Sequence, residues 1–574
     1  MNTRILGPRA NWLKWRACKN ESAGWFGGSE DSHTSSWGTD SGARFRHIIS
    51  VAMITLLVTA SGLAQAPSQQ PTTAELQRQL DQMRSQMVKM QDRIAELEAA
   101  RGIAATPSSA DPVVLQSETP QLQPGKEQSP EPATSFHFKG LTLTPGGFLE
   151  GTMLVRTRNE NADIANTYSA IPLNGSSNAK LSEFRGTARN SEFSLLVEGT
   201  AGSTKLKGYL ETDFLGAAPT ANYVESNSWT PRLRQLWVQL DRRSGWTITA
   251  GQTWSLLTTN QQGIRTLAEL RPSTEDGQYV VGFTWARQRA FRVTKNFNNK
   301  VWTAFAVESP ETTYSAAFVP ANIMGLNTSQ NAANGVNLLP FLPNYSNGFS
   351  TNIAPDLLAK VAFEPGWGHF EIKALGRFFR DRIASTATTN GHTNTTGGYG
   401  VGFGALMPFL NKKLDVSLEG LLGQGIGRYG SSGLPDATLN PITGELRPLR
   451  EARIMGGLVY HHSNRLDLYT YGGDEYAGRY AYISPTGTAA GYGSPLISYT
   501  GCTNEVALNS CGGTNRNIYE ATVGYWYRLY RGESGRIEQG NQIVYIHRNL
   551  WSGIGRTPQG GDIVAFTSLR FYLP

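Results

Sequence analysis

Lys205-Leu206-Lys207-Gly208-Tyr209-Leu210-Glu211-Thr212-Asp213-Phe214 reads with a period of two. Lys205, Lys207, Tyr209, Glu211 and Asp213 fall on one face, and Leu206, Leu210 and Phe214 on the other. Successive side chains of a strand point to opposite faces, so the stretch predicts a β-strand with one wet face. From His369 to Arg380, Glu371, Lys373 and Arg377 oppose Phe370, Ile372, Ala374 and Phe378. From Leu414 to Leu422, Asp415, Ser417 and Glu419 oppose Leu414, Val416, Leu418 and Leu422. Alternation alone fits two architectures. In a soluble sandwich the apolar face meets a core. In an outer-membrane barrel it meets lipid, and the polar face lines a wet lumen.

The spacing of the connections separates the two. Short breaks fall at 200–203, 241–245, 296–299, 365–368, 408–412, 463–464 and 531–535. Between them lie long polar stretches, about 159–183, 215–231, 257–281, 309–355, 381–397, 423–450, 478–516 and 549–560. Short and long connections alternate, which is the geometry of a transmembrane barrel with short periplasmic turns and long external loops. Seven short turns and eight long loops predict about sixteen antiparallel strands over 136–574, with both ends on the short-turn side. Aromatic residues near strand ends (Trp246, Trp254, Phe283, Trp285, Phe378, Phe379 and Tyr525 to Tyr527) are expected to form interfacial girdles.

Composition agrees. The 574 residues include 62 glycines, 10% aromatics and 17% charged residues, too many aromatics and too little net charge (+7) for a disordered chain. Beyond the N-terminal region no apolar run approaches the roughly 20 residues of a membrane-spanning helix. Three cysteines exclude a disulfide scaffold. Cys502 and Cys511, with eight residues between them in one long loop, are expected to form a structural loop disulfide. No GxSxG, P-loop or zinc-ligand spacing is present, so neither enzyme chemistry nor a cofactor or metal is expected. His461-His462 beside a two-residue turn reads as a turn-side charge rather than a metal site. No basic stripe suggests nucleic acid.

The N-terminal region has its own logic. Residues 1–66 read as a leader. Arg44-Phe45-Arg46-His47 precedes an apolar run over about 48–63 and then Ala64-Gln65-Ala66, the order of a secretory signal peptide. The rival reading, a short membrane anchor, is weakened by Ser50, Thr55, Thr59 and Ser61. Because the signal lies deep, translation is expected to start after Met1, and the mature chain near Pro67. Residues 67–100 read as a coiled-coil helix. Leu76, Leu80, Met83, Met87, Met90, Ile94 and Leu97 recur at spacings of 4 and 3, an a/d seam. A helix this short buries its seam only against copies of itself, here expected to be three, or else against its own domain. Residues 101–135, rich in Pro, Ser and Gln, read as a spacer.

Four short motifs carry a resemblance: Arg232-Leu-Arg-Gln-Leu-Trp-Val-Gln-Leu240, Gly251-Gln-Thr-Trp-Ser255, Trp285-Ala-Arg-Gln-Arg289 before Phe291-Arg292, and Gly524-Tyr-Trp-Tyr-Arg-Leu-Tyr530. With the coiled coil, linker and barrel, the chain over roughly 70–574 resembles the DcaP-like outer-membrane porins. The resemblance implies a trimeric channel associated with dicarboxylate uptake, in outer-membrane lipid, with the coiled coil in the periplasm. It also implies a terminal aromatic residue read by the barrel-insertion machinery; here the chain ends Phe571-Tyr572-Leu573-Pro574.

Charge bears on what such a pore prefers. Residues 136–574 hold 29 Arg and 10 Lys against 32 acidic residues. A guanidinium stays charged and meets a carboxylate bidentately, so arginines in a pore favour small organic anions. Candidates on or near the wall are Arg185, Arg189, Arg234, Arg287, Arg289, Arg292, Arg377 and Arg380. The resemblance implies that the third external loop, about 257–281, folds inward, so that Arg265 and Arg271 face the wall arginines with Glu269 between them. Any one of these arginines could instead be a strand-end charge. Parity leaves Arg234, and Arg289 against Arg292, undecided. Phosphate-selective and sugar porins are the alternatives, the first wanting more lumenal lysine and the second an aromatic slide. A structural envelope tether with a plugged barrel is the third.

Overall fold

A computed structural model of the chain describes Lys89 and residues 135–574, except 161, 163, 165–167, 169–170, 217–229, 277–279, 316–322, 325, 328–346, 351, 389, 503–504, 506–510, 512 and 556. The leader, the heptad seam and the spacer lie outside the described residues. The chain divides into two units, Met1–Glu118 and Thr119–Pro574, and the fold that follows belongs to the second.

Sixteen antiparallel strands close into a barrel. They are β1 (Leu141–Arg156), β2 (Glu192–Ala201), β3 (Thr204–Gly216), β4 (Thr230–Arg242), β5 (Trp246–Trp254), β6 (Arg287–Phe297), β7 (Val301–Glu308) and β8 (Asp356–Phe363). The second half is β9 (His369–Ile383), β10 (His392–Phe409), β11 (Leu414–Gln424), β12 (Arg450–Ser463), β13 (Leu466–Ala477), β14 (Asn515–Gly532), β15 (Gly535–Leu550) and β16 (Gln559–Tyr572). Each strand pairs with its sequence neighbours, and β16 returns to β1, with Phe148 opposite Tyr572 and Arg156 opposite Val564. Closure leaves no unpaired edge, the condition for spanning lipid with strands. The extra strand Glu183–Thr187 fills the long-loop end of the gap between β1 and β2.

All seven short turns fall where the sequence places them, and both ends of the sheet lie at the short-turn rim. Burial is inverted relative to a soluble sandwich. On β9 the apolar Ile372 is 58% exposed, whereas Glu371 and Lys373 on either side of it are each 2% exposed. The outer wall is therefore apolar and the interior polar, as lipid outside and ions inside require. No helix among the described residues is long and apolar enough to cross a membrane.

Two expectations change. Trp254, Phe283 and Trp526 do not stand at a girdle: they are buried with Val280, Met455, Tyr469 and Tyr471 in an inner aromatic cluster. Phe379 is likewise buried, against Tyr314 and the long-loop residues Ala437, Leu439 and Leu446. Strand-end aromatics serve both walls, and only parity separates them. Trp246 is exposed at the short-turn rim, with the Lys295 ammonium over its ring at 5.1 Å. The disulfide between Cys502 and Cys511 is formed.

Candidate functional site

The described residues of the loop after β5, 255–276 and 280–286, run through the lumen rather than over the rim. The inner wall supplies its anchors, mostly carboxylates that accept from the loop. Glu308 accepts from the Leu256 N–H at 2.7 Å and the Ser255 hydroxyl at 2.8 Å. Glu371 accepts from the Asn260 N–H at 3.0 Å, and Glu364, in a short turn, from the Gly263 N–H. Glu419 takes the Thr284 N–H at 2.9 Å, Glu475 the Gly282 N–H at 2.9 Å, and Glu520 the Val281 N–H at 3.0 Å. Each of these hydrogen bonds satisfies loop backbone that would otherwise be buried without a partner. Lys360 adds a further anchor, donating to the Thr258 carbonyl at 2.6 Å and to Glu371 at 3.0 Å. These acids lie on β7, β9, β11, β13 and β14 and in one short turn, so no single segment of sequence shows them as a set.

The loop also lies directly on wall backbone. A Cβ at Gly473 on β13 would overlap the Val281 carbonyl oxygen and meet the Ile454 carbonyl oxygen at 2.9 Å. Gly473→Ala is therefore expected to push the loop off the wall, costing about 1–3 kcal/mol as overpacking. Protease cleavage within 255–286 in the folded protein should become faster than in wild type, and unchanged protection would show that the loop is not seated there.

Beside the loop, basic residues gather near β3 and β4. Arg234 is 3% exposed and meets three carboxylates, Glu211 at 2.6 Å, Glu192 at 2.9 Å and Asp213 at 2.9 Å. A bulge explains its direction. Glu211 pairs with Gln235 and Thr212 with Leu233, so Arg234 is the extra residue and turns inward despite sharing parity with the outward Leu236 and Val238. Arg232 reaches Asp213 at 2.6 Å and stacks over Trp285 at 5.8 Å. Arg287 lies over Trp285 at 4.6 Å and Trp254 at 5.1 Å. Arg271, from the loop, comes within electrostatic reach of Glu192, Glu211 and Glu269.

Other candidates lie elsewhere. Arg265 is exposed near the short-turn rim, over Trp302 at 4.8 Å and 3.5 Å from Asn299, and does not face the wall arginines. Arg292 points inward and donates to the Trp254 carbonyl at 2.7 Å, whereas Arg289 points out, 69% exposed, onto Glu311 and Ser309. That settles their parity. Arg189 donates to the Phe214 and Gly216 carbonyls, and Arg185 pairs with Glu183 at 3.2 Å. Arg377 ties β9 to Asp356 and to Asp436 of the loop after β11. Arg380 alternates with inward Arg377 and so lies on the outer parity of β9. Missed by sequence reasoning were Lys360 and the loop-holding acids, whose one signal is inward parity.

Solvent reaches the inner face along β2–β4. Glu198 joins Lys205 at 3.0 Å and Lys207 at 3.9 Å, and Lys207 joins Asp241 at 3.4 Å; all four side chains are at least a quarter exposed. On the inward loop, outside the spanning strands, burial pushes the Glu275 carboxyl up to about 8 and also raises Asp276. Glu275 is therefore mostly protonated at neutral pH and removes little of the lumen's positive charge. Among the described residues no group of His, Cys, Asp and Glu is arranged to hold a metal.

No family model matches the chain, and no curated protein matches it. Solved structures do. An anion-selective porin from Comamonas acidovorans shares 11% identity over 75% of this chain and 100% of its own, with a TM-score of 0.40. OprB of Pseudomonas putida shares 11% identity over 75% and 94%, with a TM-score of 0.39. The outer-membrane channel DcaP of Acinetobacter baumannii aligns over 76% of this chain and 99% of its own, at 15% identity and a TM-score of 0.51. With its sixteen strands closed and its third long loop in the lumen, the chain has a porin-like outer-membrane barrel fold similar to that of DcaP, the likeness its four motifs imply.

Proposed function

We propose that the chain forms a passive diffusion channel for small organic anions, dicarboxylates among them. The observation that carries the reading is the set Arg232, Arg234, Arg271 and Arg287 around the inward loop. Glu192, Glu211 and Asp213 offset much of that charge, so the expected anion preference is moderate rather than absolute. A dianion that presents two carboxylates can engage guanidiniums bidentately as it passes, which a monoanion does less well. DcaP of Acinetobacter baumannii, which has a similar fold, is an outer-membrane channel, and this supports the same reading. The inner aromatics are covered by the loop, which disfavours a sugar slide. Lumenal Lys360 and Lys373 are buried as loop anchors, which disfavours a lysine-based phosphate site.

The test is planar-bilayer recording of the mature protein under a KCl gradient. An anion-directed reversal potential with current block by succinate is expected, and Arg271→Gln should weaken both. Block by phosphate or maltose alone would move the function to that solute, and no conductance would favour the tether.

The same proposal includes a homotrimer held by the seam from Leu76 to Leu97 in the periplasm, after export by the signal segment and insertion by the barrel machinery. Deleting residues 74–98 is expected to weaken the trimer on semi-native gels while leaving the barrel heat-modifiable. A trimer of unchanged stability would remove the seam from the assembly.

A further inference from the structure

The outer wall is not equally apolar all round the barrel. On β8–β11 the outward side chains between the short turns and the level of Arg380, Tyr399 and Gln424 are apolar, aromatic or glycine, as lipid requires. The wall over β13–β16 differs. Gln539 and Asn541 have the outward parity of β15, alternating with buried Glu538, Gly540 and Gln542. Asn541 pairs in register with Tyr525 on β14 and Thr567 on β16. Its amide donates to the Tyr525 hydroxyl, which donates to the Gln539 side-chain oxygen at 3.3 Å; the Gln539 amide donates to the Gly540 carbonyl at 2.7 Å. On β13, Asp474 also points outward, opposite exposed Ile454 of β12, and accepts from the Asn517 amide at 2.9 Å.

Depth makes these polar groups notable. Asn541 lies six residues beyond Gly535 at the short turn, about 15 Å along the barrel axis for a tilted strand. Exposed Tyr545, four residues further on, marks the upper aromatic level, and Asp474 lies below exposed Tyr476 in the same way. Both polar groups therefore fall inside the apolar band of about 25 Å rather than beyond its edges. Hydrogen bonds within the wall do not use all of their polar atoms. Among the described residues the Asn541 side-chain oxygen and Asp474 Oδ1 accept nothing, and the amides of Gln539 and Asn541 each keep a second N–H. Hydrocarbon offers such groups no partner, whereas another polypeptide does. Around them Gly151, Ala521 and Ala565 are small and exposed, so that a partner's backbone can come close.

We propose that the wall over β13–β16 is the face on which a second copy of this chain packs within the membrane, with Gln539, Asn541 and Asp474 bonding across the interface. The inference rests on the homotrimer reading and adds where the barrels meet. A copy joined through the heptad segment is present at high effective concentration in the same membrane, which selects it over an unrelated protein. In a closed ring of three the contact is heterologous, so this wall meets a different strip of its neighbour. The apolar wall over β8–β11 is then left to lipid.

The test uses the full mature protein in native outer membranes. A photo-reactive benzophenone side chain replaces Asn541 or, as the control on β9, the outward Ile372. Irradiation is expected to join subunits from position 541 and not from position 372, read as dimer- and trimer-sized bands on denaturing gels. In parallel, Q539L/N541L should lower the temperature at which the oligomer dissociates on semi-native gels while the barrel stays heat-modifiable. On a wall that faces lipid, the same change would leave the oligomer as stable as wild type. An oligomer that crosslinks from 372 and not from 541, or a Q539L/N541L oligomer of wild-type stability, would overturn this assignment and leave the homotrimer standing. Absence of any wild-type oligomer would overturn both.

Discussion

Arg234→Ala is expected to move the reversal potential toward cation preference and to destabilise the barrel. The side chain is buried and serves Glu192, Glu211 and Asp213 together, so its removal takes one ion pair from each of three fixed carboxylates. Asp213 keeps Arg232, and Glu211 keeps Arg271 within reach; Glu192 loses its direct ion pair. Breaking a buried pair by deleting one partner costs about 3–5 kcal/mol, because the remaining charge stays buried without a counter-ion. A lower melting temperature should accompany the change in selectivity. Arg234→Lys separates charge from geometry. It keeps the charge at a point and loses the planar fork, so one ammonium cannot meet three carboxylates as the guanidinium does. That variant should keep most of the anion preference and lose part of the stability. If Arg234→Ala left both reversal potential and melting unchanged, the cluster would not lie on the conducting path and would not hold β3 to β4.

The barrel was legible because its rules are local. Period-two alternation in Lys205–Phe214 and His369–Arg380 depends on neighbours in sequence, and so do the Gly- and Asn-marked turns at 243–245, 298–300 and 410–413. The inward loop was legible only through resemblance. What holds it is a ring of Glu308, Glu371, Glu419, Glu475 and Glu520, brought together by closure of the sheet and spread over more than 200 positions of sequence. Arg234 shows the limit from the other side. Strict alternation leaves it beside Leu236 and Val238, and one extra residue in β4 reverses its direction. Bulges have weak sequence signals, and a single one moves a charge from lipid to lumen. Trp254 and Trp526 mislead for a similar reason, because an aromatic at a strand end packs well against either lipid or a loop.

Glu371→Ala is the second large effect, and it acts on the loop rather than on the charge cluster. Glu371 is 2% exposed and sits at the centre of a buried network. One oxygen meets Lys360 at 3.0 Å, the His369 Nε2 at 3.0 Å and the Asn260 N–H at 3.0 Å; the other lies 3.4 Å from Lys373. Removing it leaves two lysines buried without their shared counter-ion and the Asn260 N–H without an acceptor. Each lysine also holds the loop directly, Lys360 through the Thr258 carbonyl and Lys373 through the Thr259 hydroxyl. Repulsion between them works against both contacts, so the first half of the loop should leave the wall, at a cost of about 3–5 kcal/mol. The barrel itself is closed by backbone hydrogen bonds that do not pass through Glu371, so folding into the membrane should survive. The single-channel current should therefore rise and become noisy, with reversal potential less affected than in Arg234→Ala. Glu371→Gln is the control, since its amide oxygen still accepts from Asn260 and only the charge is lost. If Glu371→Ala gave a quiet channel of wild-type conductance, the loop would be held by its later anchors at Glu419, Glu475 and Glu520. The constriction would then be set by residues 280–284 instead of 258–263.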